Sequence, residues 1–121
     1  MSRRDVAPVD VDATACCAPV TGQALSAAEA DALARVFKAL ADPARLRLLS
    51  MITNAEGGEA CVCDLTVGFQ LTGPTISHHL KVLREAGLIE GDRRGTWIYY
   101  RAVPSAMEAV SAALAPHTIS T

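Results

Sequence analysis

Aromatic residues are scarce in this sequence of 121 residues, since Phe, Trp and Tyr together make up only 4 %. Half of the residues are hydrophobic, most of them Ala, Leu and Val, so the composition favours helices over sheets. No run approaches about 18 consecutive apolar residues, which excludes a membrane-spanning helix. The length suits one domain and leaves little room for a large buried active site, so a binding or regulatory module is favoured.

An excess of positive charge is also missing, because 11 Lys and Arg stand against 13 Asp and Glu. The net charge of −2 speaks against a nucleic-acid binder, but the charges are unevenly distributed. Residues 72–101 contain five Lys or Arg and three Asp or Glu. A positive region of this kind within an acidic protein fits a DNA-binding face.

The N-terminal fifteen residues lack the apolar segment of a secretory signal, so we expect a cytoplasmic protein. Cysteines are few and come in two pairs, Cys16-Cys17 and Cys61-Val62-Cys63. In a cytosolic chain such pairs point to metal binding or redox chemistry rather than to structural disulfides.

The sequence divides into an N-terminal arm and one folded domain. Residues 1–25 show no sustained helical or alternating pattern, so we predict a flexible arm that carries the first cysteine pair. Residues 26–121 are predicted to form a DNA-binding and dimerisation domain. Its first helix spans about residues 27–41 and follows a capping box of Ser26 and Glu29.

A second helix is predicted at about residues 43–53, because Asp42 can cap it and Pro43 suits its first position. Its apolar face is predicted from the helical spacing. The residues of that face are Leu46, Leu49 and Ile52.

A short third helix is predicted at about residues 61–69, and a turn at residues 71–73 leads into a fourth helix. Glycine at position 87 ends this helix. The predicted buried stripe of the fourth helix consists of Ile76, Leu80 and Leu83.

Two strands are predicted at residues 88–92 and 96–101, with Arg93-Arg94-Gly95 as the hairpin tip, and Pro104 begins a last helix. The fold class is therefore mainly α with a small β-hairpin wing, a winged helix-turn-helix. A small helical bundle with a decorative hairpin is the alternative.

The polar side of the fourth helix is the candidate recognition surface, since hydroxyl, imidazole and ammonium groups suit base edges and phosphates. The candidate DNA-binding residues are Thr75, Ser77, His78, Lys81, Arg93 and Arg94. An ordinary solvated helix face and a solubilising turn are the alternatives. We expect His79, beside the apolar stripe, to be a packed and hydrogen-bonded histidine.

One copy of so small a domain covers too little DNA for a specific operator, so we predict a homodimer that reads two half-sites. The apolar faces of the first and last helices are the candidate dimer interface. The alternative is that these faces only close the core of the monomer.

Three segments resemble the ArsR/SmtB family of metal-responsive winged-helix repressors, and most closely its arsenic-responsive members. The similarity covers about residues 27–115. The segments are Ala39-Leu40-Ala41-Asp42-Pro43-x-Arg45-x-x-x-Leu49, Cys61-Val62-Cys63-Asp64-Leu65 and Thr75-Ile76-Ser77-His78-His79-Leu80-x-x-Leu83-x-x-Ala86-Gly87-Leu88. The resemblance implies a homodimer that binds double-stranded operator DNA and leaves it when a metal or metalloid inducer binds, with no required cofactor.

Cysteines two positions apart in a regular helix are rotated by about 200°, so their sulfurs point to opposite sides. Cys61 and Cys63 can therefore bind one ion only if the start of the third helix is unwound. Ligation would then deform this helix and move the recognition helix that follows it. An inducer that acts in this way must bind the DNA-free state more tightly.

One type of arsenic-responsive relative has a third cysteine where this chain has Thr66. The resemblance implies that arm cysteines complete the site, so we predict a site of three or four thiolates. The candidate metal ligands are Cys16, Cys17, Cys61 and Cys63. Soft thiolates select As(III) or Sb(III), with Cd(II) or Pb(II) as alternatives.

The site that zinc-sensing relatives form on the last helix has no counterpart, because Pro104, Ala106 and Ser120 replace its ligands. A repressor that senses thiol oxidation is the alternative from a different class. We do not expect an enzyme, since the sequence has no plausible nucleophile, base and orienting residue.

Overall fold

The computed structural model of the protein describes residues 17–69 and 71–116. Five α-helices and three β-strands follow one another along these residues. They are α1 (Ala27–Leu40), α2 (Pro43–Thr53), β1 (Glu59–Cys61), α3 (Val62–Val67), α4 (Gly73–Glu85), β2 (Ile89–Arg94), β3 (Trp97–Ala102) and α5 (Pro104–Ala113). A single 3-10 turn, Glu56–Gly58, precedes β1.

The architecture is a winged helix-turn-helix, which confirms the predicted fold class. The three strands form an antiparallel sheet in the order β1-β3-β2. Helices α3 and α4 form the helix-turn-helix, and β2 with β3 forms the wing. No helix in the described ranges is long and apolar enough to cross a lipid bilayer.

Side chains cap the helix starts as predicted. The Ser26 hydroxyl accepts from the Glu29 amide at 3.1 Å, and the Glu29 carboxylate accepts from the Ser26 amide at 2.9 Å. Asp42 accepts from the amides of Ala44 and Arg45 at 2.8 and 3.2 Å. Burial acts to raise the pKa of Asp42, but these hydrogen bonds and the nearby His79 and Arg45 together lower it below its usual value.

The hydrophobic core lies between the helices and the inner face of the sheet. Its largest fully buried side chains are Leu48, Ile52, Leu65, Ile76, Leu80, Leu83, Leu88 and Ile89. Leu46 was predicted to face this core, but the structure leaves it 52 % exposed and places Leu48 there instead. The helical spacing fits both residues, and only the packing of α2 against α4 and β3 decides between them.

Arg45 on α2 connects three helices. Its Nε and Nη2 atoms donate to the carbonyls of Ala39 and Lys38 at the end of α1, at 2.6 and 3.1 Å. Its Nη1 lies 3.2 Å from Nδ1 of His79 on α4. Arginine is only a donor, so Nδ1 of His79 accepts and the ring proton resides on Nε2. His79 is thus half-buried and hydrogen-bonded, as expected from its position beside the apolar stripe.

Strand β1 was missed by the sequence prediction because three residues are too few for an alternating pattern. It pairs with β3, with Cys61 opposite Tyr99 and Glu59 opposite Arg101. The third helix consequently begins at Val62, one residue after the predicted start, and ends at Val67 rather than at residue 69.

The wing also differs from its prediction at the tip. Arg93 and Arg94 belong to β2, opposite Ile98 and Trp97, so the turn consists of Gly95 and Thr96. Gly95 has φ +65°, a value that favours glycine and explains why the chain reverses there.

Residues 17–25 contain no helix or strand, but they lie against the end of α5. The Val20 amide donates to the Ala113 carbonyl at 2.9 Å, and the Thr21 hydroxyl donates to the Ala115 carbonyl at 2.8 Å. Cys17 is 6 % exposed and belongs to the hydrophobic core. The predicted arm therefore contacts the domain over its described part, while Cys16 lies outside the described residues.

Helix α5 turns its alanines inward, with Ala106, Ala109 and Ala113 buried. The predicted apolar face of this helix is a different one. Met107 and Val110 are half-buried, and Leu114, just after the helix, is 57 % exposed. The described residues therefore leave the face with Met107, Val110 and Leu114 partly uncovered.

Two leucines of α2 provide a test of the observed core. Leu48→Ala is expected to lower the free energy of unfolding by about 2–5 kcal/mol, because it removes buried methyl groups and leaves a cavity. Leu46→Ala is expected to change it by less than about 0.5 kcal/mol, as exposed substitutions do. Denaturant unfolding at one fixed protein concentration measures both values, and equal losses would contradict the observed orientation of α2.

Candidate cysteine site and nucleic-acid interface

Cys61 and Cys63 are brought together at the start of α3. Cys61 is the N-cap residue, with extended backbone angles of φ −72° and ψ 144°, and its Sγ accepts from the Cys63 amide at 3.2 Å. The Cα atoms are 5.2 Å apart, and the two residues are joined as a disulfide. The prediction that the two sulfurs point to opposite sides of a helix is wrong, because Cys61 has an extended backbone and lies outside α3. One atom can therefore bridge the two sulfurs without unwinding α3.

The surroundings of Cys61 combine apolar walls with negative charge. Cys61 is 3 % exposed and lines a surface cavity next to β1. Three carboxylates share this cavity, namely those of Glu56, Glu59 and Asp64. Negative groups attract a cation more strongly than a neutral species. The carboxylates of the cavity thus favour a cation over a neutral species at the sulfurs.

Only two of the four predicted ligands meet in the described part of the chain. Thr66, where the third cysteine of related sites would stand, donates its hydroxyl to the Cys63 carbonyl at 3.1 Å. Among residues 17–69 and 71–116, no three His, Cys, Asp or Glu side chains are grouped to hold a metal ion. Any third sulfur therefore has to come from an undescribed residue, a rearranged Cys17 or a second copy of the chain.

Helix α4 divides into a buried and an exposed side as predicted. Ile76, Leu80 and Leu83 are at most 1 % exposed. The opposite side presents four exposed residues, which are Thr75, Ser77, His78 and Lys81. The Thr72 hydroxyl caps this helix by accepting from the Thr75 amide at 3.3 Å. The predicted DNA-reading side chains of α4 are thus all exposed, three of them in the first two turns of the helix.

The two wing arginines have different environments. Arg94 donates two hydrogen bonds to the carboxylate of Glu59, at 2.7 and 2.9 Å, and a third to Asp92 at 3.0 Å. Its guanidinium also lies 4.6 Å from the ring centroid of Tyr99. Since two carboxylates already bind it, we leave Arg94 out of the candidate DNA contacts. Arg93 is exposed and stays a candidate.

Glu59 makes a long-range contact that the sequence did not reveal. The hydrogen bonds from Arg94 hold the pKa of Glu59 below its usual value, against the opposing effect of its partial burial. Glu59 and Arg94 are 35 positions apart in the sequence. Only recognition of β1 as a strand next to β3 would have suggested that these two residues meet.

Residues 42–90 match the model of bacterial regulatory proteins of the arsR family. The arsenic resistance transcriptional regulator ArsR1 of Pseudomonas putida is 48 % identical over 79 residues, 65 % of this chain and 60 % of that protein. This chain therefore spans less than two thirds of the length of that relative.

Two solved structures share the architecture. One is a solution structure from Mycobacterium bovis of the homodimeric winged helix-turn-helix DNA-binding domain of a possible ArsR-family regulator. It is 33 % identical, with a TM-score of 0.61 over 75 % of this chain and 83 % of that chain. The other is the AntR antimony-specific transcriptional repressor, 29 % identical, with a TM-score of 0.62 over 75 % of this chain and 81 % of that chain.

The salt dependence of DNA binding tests the candidate role of Lys81. Lys81→Ala is expected to weaken binding to a specific DNA fragment selected in vitro. It should also reduce the slope of log K against log salt by about 0.9 for each bound copy of the chain, the share of one phosphate contact. Lys38→Ala, on the exposed side of α1, is the matched control and should leave the slope unchanged. An unchanged slope for Lys81→Ala would remove Lys81 from the phosphate contacts.

Proposed function

The chain belongs to the ArsR family of bacterial regulatory proteins, and from this membership we propose that it is a transcriptional repressor that senses As(III) or Sb(III). The repressor binds operator DNA as a homodimer and leaves it when the metalloid binds cysteine thiolates. The observation that supports this function best is the convergence of Cys61 and Cys63 at the N-cap of α3, directly before the recognition helix α4.

The exposed side of α4 suits DNA recognition in the major groove. Its hydroxyl, imidazole and ammonium groups can contact base edges and phosphates, and Arg93 of the wing adds a positive charge. A dimer places two such helices on half-sites about one turn of DNA apart. The uncovered face of α5, with Met107, Val110 and Leu114, is the proposed dimer contact together with α1.

The chemistry of As(III) fits a cysteine pair completed by a further thiol. Each thiol that replaces a hydroxyl of arsenous acid forms one As–S bond and releases one water molecule, so three thiols release three. Cys61 and Cys63 supply two sulfurs, and Cys16 or Cys17 supplies the third, from the same chain or its partner. An arsenic resistance regulator and an antimony-specific repressor are among the relatives.

The affinity for the metalloid and the affinity for operator DNA are thermodynamically linked, because the metalloid binds the DNA-free state more tightly. If the metalloid weakens operator binding by some factor, DNA weakens metalloid binding by the same factor. A shift from almost complete occupancy to almost complete release needs about 5.5 kcal/mol of differential binding. Metal–thiolate bonds are strong enough to provide a free energy of this size.

The disulfide between Cys61 and Cys63 supports a second candidate function, a repressor that senses thiol oxidation. In this reaction the two thiols lose two protons and two electrons to a small-molecule disulfide, which becomes two thiols. The trigger would then be an oxidant, and no metal ion would be needed.

Displacement of the reduced homodimer from operator DNA distinguishes these functions. As(III), Sb(III), Cd(II), Pb(II) and Zn(II) are titrated in parallel, with a small-molecule disulfide as the oxidant. Release at the lowest concentrations by As(III) or Sb(III) supports the proposed inducer. Preference for Cd(II) or Pb(II) would instead indicate a heavy-metal sensor, for which the carboxylates beside Cys61 are suited. Release by the oxidant alone would establish the redox function.

Replacement of the converging cysteines tests their role as a sensor. The Cys61→Ser/Cys63→Ser variant is expected to bind operator DNA like the original protein and to lose its release by As(III), because both sulfurs of the pair are gone. A serine hydroxyl can still cap α3, so the fold should persist. Loss of DNA binding in the absence of any ion would show that these cysteines are structural.

The arm cysteines are tested separately. Cys16→Ser and Cys16→Ser/Cys17→Ser are expected to retain operator binding and to require higher As(III) concentrations for release, because a third sulfur is removed. Cys17 is buried, so thermal unfolding serves as the control for damage to the core. As(III) affinity equal to that of the original protein would confine the site to the Cys61–Cys63 pair.

A further inference from the structure

The cysteine site and the wing share one face of the sheet. In an antiparallel sheet, residues directly opposite each other lie on the same face, and so do residues two apart on one strand. Cys61 lies opposite Tyr99, and Tyr99 lies opposite Asp92 of the wing. The same face therefore carries Glu59 of β1 and Arg94 of β2.

Arg94 contacts side chains of all three strands on this face of the sheet. It is bidentate to Glu59, it binds Asp92, and its guanidinium lies over Tyr99, the strand partner of Cys61. Glu59 is separated from Cys61 by one residue. A movement of β1 at Cys61 would thus displace a carboxylate that binds Arg94 of the wing through two hydrogen bonds.

The Glu59–Arg94 ion pair is suited to fixing the relative orientation of β1 and the wing rather than to stabilising the fold. Single exposed ion pairs contribute little to the free energy of unfolding. A bidentate carboxylate–guanidinium pair nevertheless fixes the relative orientation of its partners, since two parallel hydrogen bonds tolerate little rotation. Glu59 approaches a second arginine, Arg101, only at 3.8 Å, so Arg94 is its main partner.

We propose that Glu59 is a positioning residue that transmits the state of the Cys61–Cys63 sulfurs to the DNA-binding wing through its bidentate pair with Arg94. The inference deepens the proposed function, on which it rests, by naming how the sensor reaches the DNA interface. The signal then passes through the sheet, in addition to any movement of α3. A change at the sulfurs alters β1, and Glu59 carries Arg94 and the wing with it.

The single tryptophan of the chain provides a direct readout without DNA. Trp97 is 49 % exposed at the start of β3, and it lies opposite Arg94. Tryptophan fluorescence of the full chain is recorded in the reduced state, at saturating arsenite, and after oxidation by diamide. We expect arsenite or diamide to change the emission of the original protein. Glu59→Gln should lose this change, because the neutral amide no longer holds the guanidinium in place.

Four further variants make the experiment specific. Glu90→Gln removes another exposed ion pair of the same face, to Arg101 at 2.8 Å, and should retain the fluorescence change. Arg94→Gln should lose it, and Glu59→Gln/Arg94→Gln should lose no more than either single variant, since both act through one contact. Cys61→Ser/Cys63→Ser should show no change, which locates the signal at the sulfurs. Thermal unfolding compares the stabilities of all variants.

Three outcomes would overturn the inference. These are no response of Trp97 to either reagent in the original protein, an undiminished response in Glu59→Gln, and an equal loss in Glu90→Gln. Operator displacement is measured on the same samples and decides the proposed function independently. If the inference holds, Glu59→Gln reduces the ratio of operator affinities without and with arsenite by about fivefold or more.

Discussion

The double role of Cys61 is the constraint on which the candidate site depends. The residue ends β1 opposite Tyr99, and it also caps α3 by accepting from the Cys63 amide. Strand pairing holds its backbone extended, and only an extended residue can turn its sulfur towards the first turn of the helix. The same geometry brings the two sulfurs together. The start of the helix-turn-helix is therefore fixed by the residue that is proposed to sense the inducer.

Local rules were sufficient for much of this fold. The capping box at Ser26, the Asp42-Pro43 boundary and the stripe of Ile76, Leu80 and Leu83 each depend on neighbours in sequence, and the structure contains all three. Strand β1 and the Glu59–Arg94 pair depend on partners about 35 or more positions away. Spacing along the chain carries no information about such partners, so the convergence of Cys61 and Cys63 could not be predicted either.

The charges of the two functional regions are opposed. Three carboxylates line the cavity beside Cys61, whereas the outer side of α4 and Arg93 carry the cations and hydroxyls of the proposed DNA-binding surface. Glu59 is one of these carboxylates, and it binds Arg94 of the wing through two hydrogen bonds. A net charge of −2 is compatible with the proposed DNA-binding surface, since only one edge of the domain has to be positive.

The burial of Cys17 bears on how a third sulfur reaches the pair. Cys17 belongs to the core, and the residues after it are held to the end of α5 through Val20 and Thr21. A cysteine in such a position behaves as a small hydrophobic residue, and its transfer to an ion costs the packing that it leaves. Ligation by Cys17 would thus disturb the segment that lies against the end of α5, the proposed dimer helix. Whether Cys17 supplies the third sulfur would therefore decide whether the proposed dimer helix takes part in the proposed sensing.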